Sequence, residues 1–240
     1  AALNPWDRAL YLSVINERPF FSRVNWREPY RGLTQTLAQR SISSGIYFPL
    51  EDICSRTTGS HALGGQAAGV LVGVALNPLS LIKYQIWKED EVRRSFASTA
   101  QKLLRDAGPL VFLRGVISTA IRDGTFGLCF SLRRYVQVHG AGENGAAVYN
   151  FGAAVTCAAL GTTLSSPFNY LRNMAYAYDA KGDMESWKEK KNFARTHLGG
   201  LWQGAKKQES LLESLRFLQF RFQLGFGTAR VAFGMALTDF

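Results

Sequence analysis

The chain holds 240 residues, 47% hydrophobic and 19% charged, with a formal net charge of +10. The charged share falls below the roughly 25% usual in soluble domains. Three cysteines, an odd count without zinc-ligand spacing, argue against a disulfide framework and a structural zinc module. The basic balance by itself suits nucleic acid or an anionic membrane surface equally.

Five apolar stretches follow along the chain, each poor in charge. Leu33 to Leu50 carries only Arg40, and Ala62 to Ile82 carries no charge at all. Val116 to Leu132 carries only Arg122 and Asp123, Ala146 to Leu171 none, and Leu224 to Leu237 only Arg230. A helix needs about twenty residues to cross ~30 Å of hydrocarbon, so these lengths predict membrane-embedded helices. Gly65, Gly69 and Gly73 recur every four residues, and Gly152 with Thr156 and Cys157 with Gly161 repeat that spacing. Small residues on one face let helices approach closely in lipid. In water each helix-interior glycine would cost about 1 kcal/mol, which argues against the alternative, a soluble helical bundle. Cys54, Cys129 and Cys157 all fall in apolar stretches and read as small buried side chains.

An internal repeat runs through the same stretches. Pro5-Trp6-Asp7, Pro78-Leu79-Ser80 and Pro167-Phe168-Asn169 each close an apolar stretch or open the chain. Tyr30-Arg31-Gly32, Leu113-Arg114-Gly115 and Trp202-Gln203-Gly204 follow them. The proline-to-glycine distance is 37 residues in the second and third copies and 27 in the first. Between the two marks lies a polar, basic segment with a helical pattern at Phe96, Ala100, Leu103 and Leu104. Each unit therefore reads as a helix ending at a proline, a short surface helix and a return helix. Kinked helices around a central cavity suit a transporter.

These residues resemble the mitochondrial carrier family. Its signature places Pro-x-Asp/Glu-x-x-Lys/Arg at the end of each odd-numbered helix, followed by a matrix helix and an aromatic-basic-Gly step. Pro78 with Lys83, Pro167 with Arg172, Phe112-Leu113-Arg114-Gly115 and Tyr30-Arg31-Gly32 match those steps, and Ser44 to Glu51 is similar to the closing half of an even helix. The resemblance implies an all-α membrane protein of the mitochondrial inner membrane, one carrier-like domain over 1–240. Its three pseudo-symmetric repeats are 1–56, 57–139 and 140–240, each with two kinked transmembrane helices and a short matrix helix. Only four residues precede Pro5, so the first helix reads as truncated, short of the roughly fifteen to twenty needed to cross the bilayer.

The resemblance also implies a matrix gate at Pro5, Asp7, Pro78, Ser80, Lys83, Pro167, Asn169 and Arg172, where each motif acid pairs with the base of the next repeat. Here Leu10 replaces the first base, and Ser80 and Asn169 replace two acids. Only Asp7 and Lys83 are left to form such a pair. At the cytoplasmic side Glu51 is present, Cys54 takes the place of its base, and the second repeat reads Arg133-Arg134. Substrate contacts of the family lie seven and eight residues beyond the step glycine. They fall here on Gln39 and Arg40, on Arg122 and Asp123, and, with a return helix starting near Leu215, on Arg221. Arg230 is a second internal cation that could take the place of Arg221. An Arg–Asp pair at Arg122–Asp123 suits an amino acid substrate; an internal ion pair is the alternative.

No phosphate loop, HExxH or cysteine-rich metal pattern occurs, so no catalytic residue, metal or cofactor is expected. His61, His139 and His197 read as solvated loop residues. The basic runs at Lys188 to Lys191 and Lys206-Lys207 are short and fit lipid headgroups, so nucleic acid is not an expected partner. The expected partners are membrane lipids, cardiolipin among them, and subunits of a larger inner-membrane complex. With its gates depleted, the chain reads as a carrier relative with impaired transport and an accessory role, the alternative being an active solute carrier working by alternating access.

Overall fold

A computed structural model describes residues 3–88, 95–140, 146–178 and 187–236. Ten α-helices make up the described fold: α1 (Asn4–Asn16), α2 (Leu33–Thr58), α3 (His61–Ala75), α4 (Asn77–Lys88), α5 (Phe96–Ala107), α6 (Val116–Gly140), α7 (Ala146–Ala177), α8 (Trp187–Lys206), α9 (Leu211–Phe222) and α10 (Leu224–Ala236). No strand occurs among the described residues, and the protein is all-α. The basic stretch beginning at Lys88 lies partly outside the described residues.

Local chemistry sets the element ends. Gly59 (φ +67°) terminates α2 in the left-handed conformation, and Ser60 caps α3, its hydroxyl accepting from the Leu63 amide. Ser95 caps α5 and Ser210 caps α9 in the same way. Pro5 sits in the first turn of α1, where its missing N–H costs no helical hydrogen bond.

The three prolines do different things. The helix around Pro78 breaks at Leu76, and α3 and α4 meet at 58°. Pro167 lies inside the continuous α7, and Pro49 lies inside α2. No single described helix is long and apolar enough to cross a membrane; the bent pair α3–α4 passes that test by length and composition.

Helix α2 packs on α3, α3 on α6, α6 on α7 and α7 on α10, while α1 touches α4, α7 and α10. The α3–α6 seam is set by glycines. A Cβ at Gly69 would collide with the Asp123 carbonyl, and one at Gly127 with the carbonyl of Gly65. The four-residue glycine spacing is thus a close backbone approach.

Repeats one and two reproduce one hydrogen-bond cage. The Asn4 amide donates to Pro29 O (3.2 Å) and Arg31 O (3.3 Å), and its Oδ1 accepts from Thr36 (2.6 Å). The Asn77 amide donates to Phe112 O (2.6 Å) and Arg114 O (3.0 Å), and its Oδ1 accepts from Thr119 (2.9 Å). Each Asn precedes its motif proline and ties that helix to the glycine step of its own repeat.

Between repeats the order is cyclic. Trp87 closes on Gly32 (φ +70°) and Tyr176 on Gly115 (φ +66°), while Val14 packs with Leu201. Val14, Trp87 and Tyr176 each stand nine residues after a motif proline. Any Cβ at Gly32 would lie 2.7 Å from the Trp87 indole nitrogen.

Repeats one and three depart from the expected pattern. Residues 17–32 form turns rather than a surface helix, because Pro19 and Pro29 fall within the shortened segment. Arg8 also holds its carbonyls, donating to Asn25 O and Arg27 O. In repeat three, Gly204 is no hinge: α8 runs through it to Lys206. The left-handed residue is Gln223 (φ 53°), and the return helix α10 starts at Leu224 rather than near Leu215. His197 lies in α8 rather than in a loop, between the rings of Phe193 (4.2 Å) and Tyr170 (6.3 Å).

Candidate functional site

Two clusters of the expected residues form on the inner faces of these helices. The first is a cavity of about 160 Å³ between α2, α3, α4 and α6. Gln39, Ser80, Arg122 and Asp123 line it with Tyr47 and Phe126. Gln39 Nε2 donates to Ser80 Oγ at 2.6 Å, joining α2 to α4. Arg122 and Asp123 form an ion pair with each other, Nε to Oδ1 at 2.7 Å, and the Arg122 guanidinium lies over Phe126. The pair is self-neutral, which is the internal arrangement weighed against substrate binding for these two residues.

The second cluster centres on Asp7. Its carboxylate accepts from Arg40 (2.5 Å) and from Arg230 (2.5 and 3.0 Å). This corrects the expected Asp7–Lys83 pair. The fork of Arg230 on α10 grips both carboxylate oxygens, and the Lys83 ammonium lies instead 5.1 Å and 4.9 Å from the Tyr84 and Trp87 ring centres. Arg40 therefore belongs to an ion-pair triad rather than to the cavity.

Arg221 is also corrected. It pairs with Glu17 and donates to Tyr170 OH. Arg230 takes the inner position, seven residues beyond Gln223, as Gln39 and Arg122 stand seven beyond Gly32 and Gly115.

Arg172 closes the remaining side. Its Nη2 donates to Tyr84 OH (2.7 Å), Asn169 Oδ1 (2.8 Å) and Asn173 Oδ1 (3.2 Å). Pro78 and Pro167 each stand five residues before Lys83 and Arg172, and Pro5 stands two residues before Asp7. At the other end of the ring Glu51 is buried, accepting from Ser131 Oγ (2.8 Å) and pairing with Arg134 at 3.8 Å. The double arginine thus supplies a partner that the Cys54 position lacks.

Sequence reasoning missed three residues. Asn4 and Asn77 were marked only by the recurring Asn-Pro dipeptide. Tyr84, on which both Lys83 and Arg172 lie, carried no signal, because nothing along the chain distinguishes it from a core aromatic.

Residues 55–140 match the family described as mitochondrial carrier protein. A mitochondrial uncoupling protein 6 of Arabidopsis thaliana is 32% identical over 69 residues, 28% of this chain and 20% of the relative. A mitochondrial arginine transporter BAC2 of the same organism is 29% identical over 121 residues, 45% of this chain and 40% of the relative. The chain thus spans less than half the length of either curated relative. Over residues 55–140 the chain is thus similar to mitochondrial carrier proteins.

Proposed function

We propose that this chain is an inner-membrane protein in which the carrier fold has been kept while the gating cycle has been impaired, and that it serves as an accessory subunit of a larger membrane complex. The outward faces support the membrane placement: Ile42, Phe48, Ile53, Leu71 and Leu164 are exposed, while Asn77, Ser80, Lys83, Arg172 and Asn173 are buried. That inverted distribution suits lipid outside and polar groups within.

One observation carries the accessory reading. The sole motif acid, Asp7, is engaged by Arg40 of its own repeat and by Arg230 of α10, and neither residue is the base that a carrier gate alternately grips and releases. Alternating access needs two states of comparable free energy, and a gate whose charges pair elsewhere does not supply the switch. Under mild detergent the tagged protein is expected to migrate on native gels far above its 26.6 kDa. Migration alone at monomer size would remove the accessory role.

A second reading, active solute transport, draws on Gln39, Arg122 and Asp123 lining one cavity. Arg122 would meet a carboxylate and Asp123 an ammonium, as in an amino acid. Reconstituted liposomes are expected to show uptake near background across a panel of amino and organic acids. Saturable exchange of one of them would establish transport instead.

A further inference from the structure

Residues 17–32, the shortened connection of repeat one, combine a pinned backbone with an unpartnered outer surface. The pinning comes from beneath. Asn25 is buried and donates to Ser13 Oγ (2.9 Å) and Pro19 O (3.0 Å), and Trp26 Nε1 donates to Phe20 O (3.0 Å). Arg8 holds the carbonyls of Asn25 and Arg27, and Asn4 that of Pro29. Phe20 is buried as well and stacks on Phe226 of α10 at 4.3 Å. Buttressed in this way, the segment keeps one shape without a helix or a strand of its own.

Its outer side is aromatic and basic. Phe21 is 73% and Tyr30 63% exposed. Arg18, Arg23 and Arg27 are exposed and take part in no ion pair among the described residues. Both acids of the segment are already engaged, Glu17 by Arg221 and Glu28 by Arg31. Three arginines are thus left uncompensated. Aromatic residues and arginine are the types enriched where proteins bind proteins. A surface that is rigid before binding also loses little conformational entropy on docking. A lipid headgroup layer is fluid and makes no such demand on the shape of a loop.

We propose that residues 17–32 are the docking surface for a neighbouring subunit, and that the segment received there is acidic. Its Asp or Glu side chains meet Arg18, Arg23 and Arg27, and an apolar side chain seats on Phe21. The proposal rests on the accessory reading and names the face and the partner chemistry that this reading leaves open.

Native gels of mild-detergent extracts test it with the full chain. Arg23→Glu combined with Arg27→Glu is expected to move most of the protein from the complex to the monomer position, and Phe21→Ala a smaller share. Arg195→Glu, a charge reversal at an exposed position of α8, should leave the complex intact. Unfolding temperatures of all three variants should match that of the native protein, because none of these side chains is buried. With Phe21 replaced by a photoreactive phenylalanine analogue, irradiation should join the chain to a peptide holding more Asp and Glu than Lys and Arg. A native chain that runs at monomer size removes the accessory reading and this proposal with it. A native complex that survives the double charge reversal, or a crosslink from position 21 to lipid alone, removes only this proposal.

Discussion

At the residue scale, the two asparagines before the motif prolines act as covert structural anchors. Asn77 is 1% exposed and also accepts from Tyr176 OH at 2.6 Å, so it joins three segments. Asn77→Ala would leave the Phe112 and Arg114 carbonyls without its amide, while Tyr176 OH and Thr119 would keep only each other. Each buried unsatisfied group costs about 1–3 kcal/mol, so the variant should be destabilised by about 3 kcal/mol in detergent unfolding, whereas replacing exposed Asn16 by Ala should cost far less. The prolines beside these asparagines were visible in the sequence because proline has a fixed backbone effect. The asparagines were not, because an amide announces nothing until the carbonyls it bridges, some 25–37 positions away, are brought to it.

At the element scale, the small-residue stripe was legible and its partner was not. Gly65, Gly69 and Gly73 predicted a close helix contact by spacing alone; that α6 fills it, through Gly127 and the Asp123 backbone, required the fold. Gly69→Ala should therefore push α3 from α6 and lower the unfolding temperature by several degrees. Gly199→Ala, in a helix with nothing within 4 Å of the new Cβ, should be neutral or raise it by up to about 1 kcal/mol equivalent. Docking of α8 carries a pH signature. Burial, and then the Arg221 charge, push the His197 imidazole below its ordinary value. The fold thus favours neutral His197, and its contribution is present above the unfolded value near 6.5 and fades as the pH falls through and below it. Proteolysis within α8 should accelerate on acidification below about pH 6.5, and His197→Phe should remove most of that acceleration.

At the scale of the whole molecule, Asp7 joins the beginning of the chain to α2 and to α10 near its end. Asp7→Asn would leave Arg40 and Arg230 facing each other across a partly buried space. Breaking such a pair costs about 3–5 kcal/mol when the remaining charges are uncompensated. Hydrogen exchange is expected to rise in α1 and α10 together, and protection of the α3–α6 seam to persist; exchange confined to α1 would show that the triad does not close the ring. From the sequence alone came the helical class, the threefold recurrence and the depletion of the motif acids. These are written in periodicity, in proline and glycine, and in residue identity, all of which act locally. Which charges pair was decided only by tertiary structure: Asp7 with Arg230 rather than Lys83, Glu51 with Arg134, Arg221 outside the ring and Arg172 without an acid among the described residues. Ion pairing depends on a few ångströms between groups as much as 223 positions apart, and that distance is a property of packed helices rather than of sequence spacing.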